Sequence, residues 1–285
     1  MGILFVGLAI IGWGVGDFLI QRSARKLGDW EALFFITIFG SVILLPFVYQ
    51  SLGGLGASDW LILTLTSIVI LVAGLLDFDA LRVGKISIIE PIYALEVPIT
   101  IALTTFLIGE SVTGTQLVLI LALLAGIFLV SNKHFGAMRL RTLEKGVLIA
   151  VLATIGMGIS NFLFGFASRA TDPLMINWFT STFMAVATLS YLLYTAQGHL
   201  VIRNWRKNKR LILAVSVSDN AAWVAYSAST LFLPIGLAIG LSESYIALAA
   251  VLGITFNKEK LVTHQTFGLM LSVIAAIALA FTAGE

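Results

Sequence analysis

Ten apolar runs, each close to the ~20 residues that carry a helix across ~30 Å of hydrocarbon, follow one another through this 285-residue chain. Inside lipid the backbone groups must be satisfied within the segment itself, so these runs can only be helices. The runs fall near residues 1–21, 31–50, 60–80, 86–108 and 113–131, then near 146–168, 174–195, 210–228, 233–255 and 263–282. Composition agrees. The chain is 59% hydrophobic and 11% charged, against roughly 45–50% and about 25% in a soluble domain, and the excess needs lipid to face. With 17 basic and 15 acidic residues the formal charge is +2, which gives no nucleic-acid footprint. Cysteine is absent, excluding disulfides, thiolate metal sites and a cysteine nucleophile. Residues 1–20 do not read as a cleaved signal, because no Lys or Arg precedes them and no small-x-small site follows.

The runs form two sets. Residues 2–25 align without gaps to residues 146–169 with ten identities in twenty-four positions, among them Gly12/Gly156, Gly14/Gly158, Phe18/Phe162 and Leu19/Leu163. Further along, Gly109-Glu110-Ser111 stands where Lys258-Glu259-Lys260 precedes the last helix, with the offset moved from 144 to 149 by the longer 196–209 connection. Repeats of this length are what transporter folds are built from. Five helices per copy is odd, so the second copy is expected to be inverted in the membrane. Of the 17 Lys and Arg residues, all but Arg169 follow odd-numbered helices. By the positive-inside rule those loops are cytoplasmic and both termini lie outside. The expectation is an all-α membrane protein with ten transmembrane helices as two inverted five-helix repeats. The first repeat is 1–131, the cytoplasmic linker 132–145, and the second repeat 146–285.

The chain resembles the EamA family of the drug/metabolite transporter superfamily over nearly its whole length. The resemblance rests on the five-plus-five repeat and on the G-W-G of Gly12–Gly14. It also rests on the run from Ala80-Leu81-Arg82 through Pro91, Ala94-Leu95 and Pro98 to Gly109-Glu110, followed by a small-residue helix ending Ala125-Gly126. The second copy keeps Glu259 but not the paired prolines. Membership would imply a ten-helix basket working by alternating access, its central cavity lined mainly by the third, fourth, eighth and ninth helices. It would not name a substrate.

Ionisable groups inside spans are costly, by ~2.5–3.5 kcal/mol at a helix centre, so each is a functional candidate. Glu96 in the fourth helix, Asp219 in the eighth and Glu243 in the ninth fall near helix centres, with Tyr93, Asn220, Trp223, Ser242, Ser244 and Tyr245 beside them. The plainer alternative is a carboxyl that hydrogen-bonds across a helix interface. No Lys, Arg or His lies near any helix centre. A carboxyl left without a cation can exchange a proton during a cycle, or pair with an ammonium on the substrate. Phosphate-bearing substrates, which want Arg or Lys, fit poorly. Substrate-binding residues are therefore sought among Glu96, Glu243, Asp219, Tyr93, Trp223, Ser242 and Tyr245.

Pro91 and Pro98 bracket the middle of the fourth helix and free upstream carbonyls, and interrupted helices often form binding sites. A simple kink is the alternative. Glu90, near the cytoplasmic end, does not share a face with Glu96. Asp77 and Asp79, with Arg82 and Lys85, read as a solvated helix end, with a cytoplasmic gate as the alternative. Gly14-Val15-Gly16-Asp17 spells the G-x-G-D of intramembrane aspartyl proteases. That chemistry needs a second, facing carboxyl, and the glycines read better as close helix packing. Trp13 and Trp178 read as core, Trp30 and Trp60 as interface residues, and Trp223 as the ring best placed to stack on a substrate.

The reading is a secondary transporter of a small zwitterionic or cationic, amino-acid-like metabolite, an exporter coupled to protons, in a bacterial or archaeal cytoplasmic membrane. A multidrug exporter and a non-transport intramembrane protein are the alternatives. No enzyme activity, cofactor or metal is expected. The partners are a small-molecule substrate, protons and the lipid bilayer; the oligomeric state is open.

Overall fold

A computed structural model describes residues 1–83, 92–131, 145–245, 248 and 262–282. Lys85, Glu90, Pro91, Lys258, Glu259, Lys260 and the linker over 132–144 lie outside the described residues. Helices are α1 (Gly2–Leu27), α2 (Asp29–Val48), α3 (Ala57–Val83), α4 (Glu96–Ile108), α5 (Gly114–Ser131), α6 (Lys145–Ala170), α7 (Pro173–Tyr194), α8 (Gly198–Ser229), α9 (Ile235–Ser242) and α10 (Thr263–Thr282). No strand occurs among the described residues. Six helices, α1, α2, α3, α6, α7 and α8, are long and apolar enough to cross a membrane, and α4, α5 and α10 are shorter apolar helices.

The helix ends follow from their residues. Gly28, at φ 87°, makes the sharp turn between α1 and α2 that a side chain would resist. Gly109, at φ 69°, closes α4 in the left-handed conformation. The Asp172 carboxylate accepts the N–H groups of Leu174 at 2.7 Å and Met175 at 3.2 Å, and Pro173 opens α7 where its missing N–H costs nothing. The expected eighth helix starts too late. α8 begins at Gly198 and carries a non-helical Asn208 (φ −123°, ψ 18°), so 196–209 is mostly helix set at a bend. The signal for it lies in Val201, Ile202 and Trp205, apolar residues at helical spacing within a basic stretch.

In α1, Val6, Ala9, Trp13 and Ile20 point inward, while Leu4, Leu8, Ile11, Val15 and Phe18 form an exposed stripe on the other side. A helix that is apolar on both faces is a core or membrane helix, and here the outer face has no protein to cover it. The strongest packing pairs are α1 with α8, α3 with α6, α2 with α7 and α5 with α10; α4 also packs on α6, and α1 on α9. Glycines make these approaches close. A Cβ on Gly12 would lie 2.7 Å from that of Ala222, one on Gly156 2.8 Å from that of Ala73, and one on Gly126 2.6 Å from the Ser272 nitrogen. Small residues at crossings are how membrane helices associate without a hydrophobic drive.

Candidate functional site

A central cavity, open toward solvent, lies among these helices. It is lined by all of α1, α2, α3, α6, α7 and α8 in part, together with Tyr93, Glu96, Ile239, Glu243 and Tyr245. The lining is thus broader than the four helices implied by the family resemblance. Five carboxyls reach it, from Asp17, Asp77, Glu96, Asp219 and Glu243, with the amides Asn161, Asn177 and Asn220 and the aromatic rings Trp13, Phe78, Tyr93, Phe164, Trp223 and Tyr245. No Lys, Arg or His lines it among the described residues.

The two glutamates meet. Residues 92–93 are helical, 94–95 form a turn, and α4 begins at Glu96. Pro98 explains the break, because it cannot donate to the Ala94 carbonyl; Val97 N–H supplies that bond instead, at 3.4 Å. The break leaves Glu96 in the first turn of α4, where the helix dipole favours a carboxylate. α9 lapses in the same way without a proline. It ends at Ser242, and Ser244 N–H turns back to the Leu241 carbonyl at 3.1 Å. Glu96 and Glu243, 7% and 1% exposed, are joined by a hydrogen bond between their side chains. Such a bond requires one proton for the pair. Asn161 Nδ2 donates to Glu96 Oε2 at 2.9 Å, and the Asn161 carbonyl is itself held by the Tyr226 hydroxyl at 2.9 Å.

Around the other carboxyls the walls are aromatic. Tyr245 hydrogen-bonds the Asp17 carboxyl. Tyr93 donates to the Asp77 carbonyl at 3.1 Å and also bonds its carboxyl. Trp223 stands between Phe164, with ring centroids 4.6 Å apart, and Trp13, edge-on at 5.3 Å; Trp13 lies 5.6 Å from Tyr226 and 6.2 Å from Tyr245. A cation inside this box would meet both carboxylates and ring faces.

Of the residues expected from the sequence, Glu96, Glu243, Asp219, Tyr93, Trp223 and Tyr245 line the cavity. Ser242 does not. The last residue of α9, it is fully buried, and its hydroxyl makes no hydrogen bond among the described residues. Trp13 belongs to the cavity wall as well as to the core. Asp17, set by the sequence in a glycine-packed stretch, and Asp77, expected at a solvated helix end, also line the cavity. Asp77 is no solvated helix end, since α3 runs on to Val83 and sets it well inside. Asp77 and Asp219 share the cavity with Asp17.

Ion pairs tie the bundle at both ends. Arg82 Nε meets Asp29 Oδ2 at 3.0 Å and its guanidinium also pairs with Asp79, linking α3 to the start of α2. At the opposite end Arg169 Nη1 meets Glu110 Oε1 at 2.5 Å, while its Nε donates to the Thr230 carbonyl at 2.7 Å and its Nη2 to the Leu233 carbonyl at 2.8 Å. Glu110 Oε2 in turn accepts the Ile235 N–H at 2.8 Å, capping α9.

Residues 1–132 and 144–281 match the model of the EamA-like transporter family. The chain belongs to that family. It is therefore an integral membrane transporter of the drug/metabolite transporter superfamily, acting on a small molecule within a lipid bilayer. This EamA-family chain is 28% identical over 134 residues to the uncharacterized protein MJ1333.1 of Methanocaldococcus jannaschii, a match over 45% of the chain and 95% of that protein. It is also similar in fold to a solved crystal structure of a protein, with a TM-score of 0.73 at 15% identity, covering 99% of this chain and 97% of the other.

Proposed function

We propose that this EamA-family transporter exports a small zwitterionic or cationic, amino-acid-like metabolite in exchange for protons, and that it is a transporter and no enzyme. The observation that carries this reading is the lining: five carboxyls and no basic side chain among the described cavity residues. A positively charged amine supplies the countercharge this site lacks, and a phosphate would meet carboxylates with no basic side chain to offset them. The Glu96–Glu243 pair, which needs one proton to hold together, supplies a carrier for the coupling ion.

Alternating access is taken to run through ten spans in two inverted copies, 1–131 and 146–285, joined by residues 132–145 on the cytoplasmic side with both termini outside, in a bacterial or archaeal cytoplasmic membrane. Pairs of contacts support the two copies. Gly12 packs on Ala222 and Gly156 on Ala73; Gly14 packs on Tyr245 and Leu248, and Gly158 on Glu96 and Ile99. Each exchanges residues related by the sequence offsets of 144 and 149. The archaeal relative matches under half of this chain but nearly all of itself, as one such unit would.

The aromatic box favours a second reading, a multidrug exporter of broad specificity. Proteoliposomes holding a pH dye and challenged with a panel of amino acids, aliphatic amines, aromatic cations and sugar phosphates separate the two. Proton flux with a few small amines or amino acids is expected. Flux with most aromatic cations would favour the multidrug reading, and flux with sugar phosphates alone would contradict both.

A further inference from the structure

A second concavity lies away from the central cavity, on the outer surface between α2 and the bent start of α8. We propose that it holds one anionic glycerophospholipid, its acyl chain along α2 and its phosphate on the basic residues of α8. The groove is walled by Phe34, Ile38, Val42 and Ile43 on one side and by Ile202 and Trp205 on the other. Phe34, Phe35, Leu192 and Ile212 form a buried apolar floor. The one polar lining residue, Ser216, spends its hydroxyl on the Phe35 carbonyl at 3.3 Å. From Phe34 to Ile43 the α2 wall is about 14 Å long at 1.5 Å per residue, a slot suited to a stretch of hydrocarbon chain.

The rim supplies the charge. Arg203, Arg206 and Lys207 lie exposed before the bend at Asn208, and Lys209 and Arg210 lie exposed just after it. Arg206 follows Ile202 by four residues, on the same helix face. The bend at Asn208 turns this segment out of line with the rest of α8, and Asn204 Nδ2 pins it to Glu31 Oε2 of α2 at 2.9 Å. An amphipathic segment with an apolar face and clustered cations binds anionic lipid heads through the cations while its apolar face meets the chains. Val42 and Ile202 remain 61% and 62% exposed at the groove's edges, so a chain can enter from the side. A zwitterionic lipid would satisfy the groove but not the rim, and that difference is the testable part.

The purified full-length chain is placed in micelles holding equal phosphatidylglycerol and phosphatidylcholine, and retained lipid is counted by native mass spectrometry. One phosphatidylglycerol is expected, preferred by about tenfold or more. The combined variant R206Q/K207Q/K209Q/R210Q should bring the two lipids to parity. V42W/I43W, which fills the groove, should lower retention of both, with helix content and melting temperature unchanged in each variant. On the native chain, a photoreactive acyl chain on phosphatidylglycerol should label residues 34–43 and 201–213, which needs no variant to fold. Equal retention of the two lipids, a preference untouched by the basic-to-Gln changes, or label elsewhere would overturn the proposal. So would high-yield crosslinking between copies of a V42C variant in phosphatidylglycerol nanodiscs, because a second copy would then fill the groove.

Discussion

Pro98 lacks the N–H that the Ala94 carbonyl would take in an unbroken helix, and that single missing donor sets Glu96 at the start of α4. Once there, Glu96 reaches Asn161 and Glu243. Glu96→Gln and Glu243→Gln should each keep the fold and reduce proton-coupled flux by about tenfold or more, the range a positioned acid–base group contributes; flux assays with a melting curve on the same samples check both. Asn161→Leu leaves Glu96 short of a buried donor and should cost about 1–3 kcal/mol, read as a fall in melting temperature. Tyr245→Phe removes the bond to Asp17, so it should alter amine affinity more than stability. Glu96, Glu243 and Asp219 were legible because each sits deep in an apolar run, where an ionisable group is costly. Asp17 and Asp77 were not. Asp17 stands mid-way along α1 and Asp77 about two turns before the end of α3, and whether each side chain faces the bundle depends on helix rotation and on where the helix stops. Glycine contacts set the first for α1, and the extension to Val83 sets the second for α3.

Between elements, the closest crossings depend on absent side chains. Gly12→Leu and Gly156→Leu should each destabilise by about 1–3 kcal/mol, measured by thermal unfolding in detergent, and should do so similarly if the two crossings are counterparts. The Arg169–Glu110 clasp binds the ends of α4 and α6 to the start of α9. α4 begins at Glu96 and α9 ends next to Glu243, so the clasp and the glutamate pair hold opposite ends of the same two helices. Arg169→Gln should loosen it by about 1–3 kcal/mol, because a partly buried charged donor is lost. The charge exchange Arg169→Glu with Glu110→Arg should recover part of the loss in a double-mutant cycle. Helix positions were largely legible, because apolar runs bounded by charge fix where a span can lie. The start of α8 was not, since a basic amphipathic segment breaks the run without breaking the helix.

At the scale of the molecule, the pairs α1–α8, α2–α7 and α3–α6 pack around one carboxyl-lined space, and α5 packs with α10. That arrangement followed from the repeat, whereas the participation of α1, α2, α6 and α7 in the lining depends on tilts that apolar patterning does not encode. Single cysteines at residues 51 and 196, on opposite ends of the bundle, should label from opposite sides of intact cells, with 196 protected from outside. The central claim is that the cavity carries an amine against protons through the Glu96–Glu243 pair. The most direct test is transport current on solid-supported membranes bearing the full chain, recorded with lysine, neutral amino acids, aliphatic amines and sugar phosphates at several proton gradients. The expected result is current with members of the amine-bearing set, reversing with the gradient and lost in the E96Q/E243Q double variant. Gradient-independent current, or amine current of native size in that variant, would contradict the account.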